Sequence, residues 1–369
     1  MKQIKSILFL TYHFPPEVGG IQTRIAYYVE ELRKRNIWVT VLAVTTRSGG
    51  TPEANAIGGE VITCPGGANN LLTCMRSLVI ANLRKSFDVI HVFTGGSTLF
   101  GVSALVLGRV RRVPVVVSFF GKEDFVFSSS LSKLLFKLAL SLATRIDVNT
   151  SYTQGLVPEE FRFKTFVLSG GAEEVSTRTV PTPRQGGPRI LFVGRLARRK
   201  GVDDLIKAFA TVRQVVPDCR LIVVVDGQDR KRLVDIVKSL GLSEFVDFKG
   251  TLLGKALHEE YELSDVVALP SKHDPTDTAT EGLGLTLVEA SMHGKPLVGT
   301  LHGGIPEVVR HGENGLLVPE GNPAALAQAI EEVLTDADMA HKMGEAALRI
   351  ARTRFSWNKA TDVLLESYA

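Results

Sequence analysis

Two glutamates, Glu281 and Glu289, stand eight positions apart in the segment EGLGLTLVE, with Gly282 and Gly284 just ahead of an apolar run. A helix that begins near Gly284 would present unpaired N–H groups and the positive end of its dipole to an anion. One carboxylate would lie just before that tip and the other more than a turn inside. The tip suits a phosphate and the flanking carboxylates suit hydroxyl groups, which together make a layout for a sugar phosphate. In an uninterrupted helix a spacing of eight would put both glutamates on one face, but the two glycines argue for a loop that carries Glu281 past the tip. Taken alone, the pair also fits a solvated glutamate followed by a satisfied helical one.

A second group of reactive side chains follows the apolar run RILFVG (189–194), where RLARRKG places Arg195 and Lys200 at the C-terminal edge of a strand. Arg as a planar fork and Lys as a point charge can neutralise a diphosphate there; a solvated basic loop is the other reading of this segment by itself. Near the N-terminus, FPPEVGGIQTR (14–24) puts Gly19 and Gly20 between a strand and a helix, where backbone N–H groups can approach an anion, although a plain tight turn also fits. Gly303, Gly304 and Gly315 punctuate turns, and a structural role accounts for them. His91, His273, His293 and His302 form no metal-binding pattern, and the acids of HDPTDTATEG (273–282) read as a polar loop, so no metal site is expected.

The elements that must position these groups alternate along the chain. Apolar, β-branched runs at 5–11, 38–44, 88–93, 114–120, 146–151 and 164–169 are separated by helix-length segments, a pattern that predicts a parallel sheet buried on both faces. STRTVPTPRQGGP (176–188) reads as a linker. The alternation then restarts with strands expected at 189–194, 219–227, 245–250, 265–271, 296–300 and 315–319. Two doubly wound, Rossmann-like domains facing a central cleft follow from this, since such sheets bind ligands at the carboxyl ends of their strands. The division is 1–175 for the first domain, 176–188 for the linker, 189–350 for the second, and 351–369 for a C-terminal helix crossing back to the first.

The 369 residues are 44% hydrophobic and 22% charged, ordinary for a globular protein. No apolar run is long enough to span a membrane, and the N-terminal stretch lacks a small-residue cleavage site, which points to a cytoplasmic protein. Three cysteines, Cys64, Cys74 and Cys219, have neither disulfide-framework nor zinc spacing. The net charge of +4 is uneven: residues 1–185 carry 21 Lys and Arg against 13 Asp and Glu, whereas 186–369 carry 22 against 26. The basic first half expects an anionic partner. LSKLLFKLALSLATR (131–145), with Lys133 and Lys137 one turn apart, together with Arg109, Arg111 and Arg112, is compatible with an anionic membrane surface at the inner face of the membrane, and equally with a helix packed on its sheet. Nucleic acid is not expected, because no dense basic run or RNA-binding aromatic signature is present.

Taken in order, PPEVGGI, VGRLARRKG, PSKHDPTDTATEGLGLTLVEASMHGKPLVGT, GGIPEVVRHGENGLLV and the closing FSW resemble the retaining family 4 glycosyltransferases of the GT-B fold, over nearly the whole chain. The resemblance implies a hexosyltransferase that moves a sugar from a UDP- or GDP-sugar donor to a glycan or lipid-linked acceptor, with no cofactor and no metal. It implies that Arg195 and Lys200 hold the donor diphosphate with backbone N–H groups at Gly20, Leu283, Gly284 and Leu285. By the same resemblance Glu289 takes the ribose hydroxyls and Glu281 those of the transferred sugar, and the base lies between Asp226–Gly227 and the turn ending at Leu253. Two residues depart from the family pattern. Phe120 in VSFFGKED stands where a His is common, with Gly121 and Lys122 beside it as candidates for the sugar loop and Lys122 as a substitute donor. Val225 stands where a glycine is common. The competing functions are a sugar-nucleotide epimerase or hydrolase on the same fold and a non-catalytic nucleotide-binding paralogue.

Overall fold

A computed structural model describes residues 3–11, 20–45, 60–65, 86–93, 99–121, 130–175 and 186–368. The chain forms two compact units, Met1–Gly170 with Trp357–Ala369, and Gly171–Ser356.

In the first unit, β1 (Ser6–Thr11), α1 (Gly20–Lys34), β2 (Trp38–Thr45), β3 (Glu60–Pro65), β4 (Val89–Val92), α2 (Leu99–Arg111), β5 (Val115–Phe119), α3 (Ser130–Leu142), β6 (Arg145–Val148), α4 (Ser151–Leu156) and β7 (Thr165–Val167) build a sheet in the order β3-β2-β1-β4-β5-β6-β7. All its pairings are parallel. Its central strands are apolar on both faces because helices cover both, so Ile7, Leu8, Phe9 and Leu10 of β1 are all inaccessible to solvent.

The strand expected at 146–151 stops at Val148, since Thr150 caps α4 by accepting the Thr153 N–H at 3.2 Å. β3 has no counterpart among the sequence expectations. It lies at the sheet edge and ends in Pro65, a residue that an edge position tolerates and that weakens a strand signal.

The second unit repeats the pattern with β8 (Arg189–Val193), α5 (Val202–Val215), β9 (Arg220–Val224), α6 (Arg230–Ser239), β10 (Val246–Gly250), α7 (Lys255–Leu263), β11 (Val266–Leu269), α8 (Leu285–Met292), β12 (Leu297–Thr300), α9 (Ile305–Val308), β13 (Gly315–Val318), α10 (Pro323–Thr335) and α11 (Ala337–Arg354). Its parallel strands run β10-β9-β8-β11-β12-β13. The order reverses between β8 and β11, which pair through Val266 with Ile190 and Val267 with Leu191. A crevice outside the carboxyl ends of those two strands is where a doubly wound sheet takes its ligand.

The division of the chain differs from the expected one at both changes of unit. Gly171–Val175 goes with the second unit, where the Ala172 N–H donates to the Phe355 carbonyl at 2.8 Å and Ala172 bridges Ser356. The return to the first unit begins at Trp357 rather than 351, because α11 continues to Arg354. Residues 176–185 of the expected linker lie outside the described residues. The last helix, α12 (Trp357–Ser367), packs on α1. Trp357 stacks on Tyr27 with ring centroids 4.8 Å apart, Arg35 pairs with Asp362 at 2.9 Å, and Tyr368 meets His91 at 2.6 Å.

Candidate functional site

The loops that leave β8 and β11 meet beside each other in the second unit. From β8 the chain passes Gly194 into Arg195–Gly201, where a single 3-10 turn over Arg198–Lys200 aims Lys200 inward. From β11 it passes through Ser271–Gly284 into α8. The two loops are tied together by the Lys272 N–H, which donates to the Arg199 carbonyl at 2.8 Å. The Lys272 ammonium reaches Asp203 at 2.9 Å and Asp204 at 2.7 Å in the first turn of α5. Two acids at a helix N-terminus complement its dipole, and Lys272 gives them a countercharge.

Within this frame Lys200 and Glu281, distant in sequence, form a short ion pair, Nζ to Oε2 2.5 Å. The Ser271 hydroxyl donates to the same oxygen at 2.9 Å, and an Arg199 guanidinium nitrogen lies 4.0 Å from it. Glu281 is only 8% exposed. Burial opposes its ionisation, but Lys200, Arg199 and Ser271 outweigh burial and hold the carboxyl below its ordinary value. The Glu281 backbone is gripped as well: its carbonyl accepts the Gly304 N–H at 3.0 Å. A Cβ on Gly303, which has φ +55°, would come within 2.2 Å of that oxygen. HGGIPE therefore seats the glutamate by close backbone approach.

Gly284, at φ +80°, turns the chain into α8 as its N-cap. Glu281 lies before the tip and Glu289 more than a turn inside. Leu283 is buried in the core and Leu285 is partly buried, so what they can offer a ligand is their backbone. The Tyr261 hydroxyl of α7 donates to Glu289 Oε2 at 2.7 Å. Burial lifts the Glu289 carboxyl above its ordinary value; Tyr261 works against that rise and Glu173 adds to it.

Arg195 and Arg198 are exposed and make no ion pair among the described residues. They line a cavity of about 630 Å³ with Ala197, Gln228, Asp229, Asp274, Thr276 and Asp277, a volume within the usual range for small-molecule sites. Asp277 is held by Arg199 at 3.3 Å. After β9, Val225 adopts φ +81°, and its N–H donates to the Gly250 carbonyl at 2.7 Å. Asp226 is exposed and accepts the Gly227 N–H at 2.8 Å. Gly227 lies against the Leu196 backbone, where a Cβ would meet the Leu196 carbonyl oxygen at 2.3 Å. Leu253 is 59% exposed in the turn before α7.

In the first unit Gly20 is exposed as the first residue of α1. Phe120 stacks on Phe93 with ring centroids 6.4 Å apart, and the Arg24 guanidinium lies 4.9 Å from the Phe120 ring. Gly121 is buried, and Lys122 lies outside the described residues. Sequence reasoning missed Arg198, Arg199, Ser271, Tyr261 and the grip of Gly303 and Gly304 on Glu281. The signal for Arg198 and Arg199 was present in RLARRKG; Ser271 and Tyr261 carry no local signal of their role.

The arrangement places two cations, Lys200 and Arg199, against the buried Glu281 carboxylate, with two more, Arg195 and Arg198, exposed in the same loop as Lys200 and the start of α8 three residues beyond Gly282 in the other. It can neutralise a leaving diphosphate and accept hydrogen bonds from hydroxyl groups. The family model "Glycosyl transferases group 1" matches residues 176–349 and "Glycosyltransferase Family 4" matches residues 18–168. The chain is 27% identical, over 95% of both sequences, to a GDP-mannose-dependent alpha-(1-6)-phosphatidylinositol monomannoside mannosyltransferase of Mycobacterium tuberculosis. A D-inositol 3-phosphate glycosyltransferase of Corynebacterium urealyticum is 36% identical over 48% of this chain and 42% of its own. Among solved structures, Anabaena HepE in complex with UDP and glucose superposes with a TM-score of 0.79 at 23% identity over 99% of both chains. A glycosyltransferase from Rickettsia africae gives 0.81 at 19% identity over 100% of this chain and 98% of that one.

Proposed function

Because the chain belongs to the group 1 glycosyl transferases of glycosyltransferase family 4 and has the GT-B fold, we propose that it transfers a hexosyl group from a UDP- or GDP-sugar with retention of configuration and without a metal. The observation that carries this reading is the Lys200–Glu281 pair at the strand reversal, with α8 starting shortly after Glu281 and Arg195 exposed in the loop that carries Lys200. Arg195 and Lys200 neutralise the donor diphosphate with the N–H groups at the start of α8, and stabilise the charge that grows on it as the sugar leaves. Lys200 spends one of its three N–H bonds on Glu281 and keeps the others for phosphate. Glu281, held ionised, accepts from hydroxyls of the transferred sugar, and Glu289 accepts from the ribose. The acceptor hydroxyl attacks on the face the diphosphate leaves, and the departing phosphate oxygen takes its proton.

Calorimetric titration with UDP, GDP and ADP tests the site directly. One base should bind selectively, and Arg195→Ala and Glu289→Ala should each weaken it. Unchanged affinity in both variants sinks the assignment, and binding without any glycosylated product across a broad acceptor screen favours a non-catalytic paralogue. Retention is read from the anomeric proton of the product by NMR, and metal independence from full activity in EDTA.

The acceptor side is proposed to rest on an anionic membrane at its cytoplasmic face. The helices α2 and α3 pack together and leave Val106, Val110, Leu131, Leu134 and Leu138 between 41% and 75% exposed, with Arg109, Lys133 and Lys137 exposed among them. Apolar side chains interleaved with cations match an anionic lipid surface, and an acceptor carried on lipid would be met there. Co-sedimentation with phosphatidylglycerol vesicles should exceed that with phosphatidylcholine and fall with salt; no binding at low salt ends this part of the reading.

A further inference from the structure

We infer that Tyr261 is a positioning residue for the nucleotide's ribose: its hydroxyl pins one oxygen of Glu289 and thereby aims the rest of the carboxylate at the 2′ and 3′ hydroxyls. The inference rests on the assignment of Glu289 to the ribose. Tyr261 comes from α7, which follows the turn ending at Leu253, whereas Glu289 comes from α8, so the contact joins two elements that are separate in sequence. The ring of Tyr261 is fully buried and stacks on His293 at the end of α8, with centroids 5.2 Å apart. His293 is in turn bonded to His258 at 3.0 Å, and His258 lies 3.7 Å from Glu173. The phenol therefore has little freedom, and its single proton goes to Glu289 Oε2 at 2.7 Å, the Thr286 carbonyl standing farther off at 3.3 Å.

A carboxylate that must accept two hydroxyl protons has to be both ionised and fixed in rotation. Burial works against the first requirement at Glu289, Glu173 adds to the difficulty, and Tyr261 supplies the opposing hydrogen bond. His293 does not help, because burial pushes its imidazole down to about 4 and leaves it neutral. Among the described residues, Tyr261 is the group that both orients Glu289 and favours its charged form.

The test compares GDP and UDP with their 2′,3′-dideoxy counterparts on the full chain by calorimetry, using whichever base binds. Tyr261→Phe keeps the ring and removes the donor. It should weaken the ribonucleotide by roughly five- to tenfold while leaving the dideoxy nucleotide unchanged. The low-pH loss of ribose discrimination should also move to higher pH, since Glu289 without its donor protonates more readily. Because Glu173, His258 and His293 lie in one chain of contacts leading to Tyr261, the pH profile is read as the ratio of the two ligands. Equal weakening of both ligands, or no change in either, overturns the inference. Glu289→Ala separates the two levels. Where it abolishes discrimination and Tyr261→Phe does not, Tyr261 alone is misassigned; where it leaves discrimination intact, the ribose assignment falls and the inference with it. Should Tyr261→Phe fail to fold, 3-fluorotyrosine at position 261, a stronger donor of nearly the same shape, should move the acid limb to lower pH, and an unmoved limb overturns the inference.

Discussion

Val225 is a β-branched residue at φ +81°, a conformation that crowds its Cβ against the backbone. The turn keeps it there from both sides. Its N–H is bound to the Gly250 carbonyl, and the next residue's carbonyl accepts the Leu196 N–H at 3.1 Å. Alanine at 225 would retain the Cβ and its strain, about 1–2 kcal/mol for an L-residue in the left-handed region. Glycine would remove the strain but cost about 0.5–1 kcal/mol in chain flexibility. The difference leaves Val225→Gly more stable than Val225→Ala by about 0.5–1 kcal/mol. At an ordinary backbone position the same pair has the opposite sign. Comparing the two variants, rather than either with the parent, cancels most of the lost packing of the valine side chain against the core. Urea unfolding followed by circular dichroism measures the difference, and a thermal shift of about 1–4 °C should accompany it. An alanine variant at least as stable as the glycine variant would refute the claim that Val225 is held in strain.

Glu281→Gln removes the countercharge of a largely buried Lys200 and should cost about 3 kcal/mol in unfolding free energy. Because the Glu281 carboxyl is held below its ordinary value in the folded state, its stabilisation is present above the unfolded carboxyl range and is lost as pH falls through the folded value. The glutamine variant should therefore show a flatter acid limb of stability. Gly303→Ala should push the Glu281 backbone out of place and weaken nucleotide-sugar binding at least tenfold by calorimetry; unchanged binding would show that the loop adjusts. In the first unit, burial pushes the Asp147 carboxyl up to about 8, so the folded state holds its proton. Stability from this group is fully present below the unfolded carboxyl value and falls as pH rises toward 8, with a slope of up to about 1.4 kcal/mol per pH unit. Asp147→Asn, which mimics the protonated form, should flatten that fall, and parallel pH profiles for variant and parent would contradict the assignment.

What the sequence disclosed depended on whether a signal was local. The twelve runs read as strands each contain one; the central strands, covered on both faces, are near-continuous apolar stretches, whereas the edge strand β10 reads VDFKG. The start of α8 was legible because Gly284 and the following apolar residues mark a helix entry within a few positions. β3 was not, because Glu60–Pro65 is an edge strand and carries a charge at one end and a proline at the other. Lys200 and Glu281 were each identifiable as candidates from neighbouring residues, but their pairing follows from the strand order, which brings the loops after β8 and β11 together. Tyr261 is an ordinary core tyrosine in a helical pattern, and only its position against Glu289 gives it a further role. The position of Val225 was visible as a departure from a family pattern, while its backbone strain is a property of the turn.

The membership of α12 in the first unit bears on how the chain is made. Synthesis runs from the amino end, and domains tend to fold as they emerge. The surface of α1 that receives Trp357, and the Tyr27 ring on which it stacks, are translated before any of the second unit. The partner helix arrives only after that unit is finished. Until then the first unit lacks the helix that covers this surface of α1. Maturation of the first unit thus waits on a helix that is translated after the whole of the second.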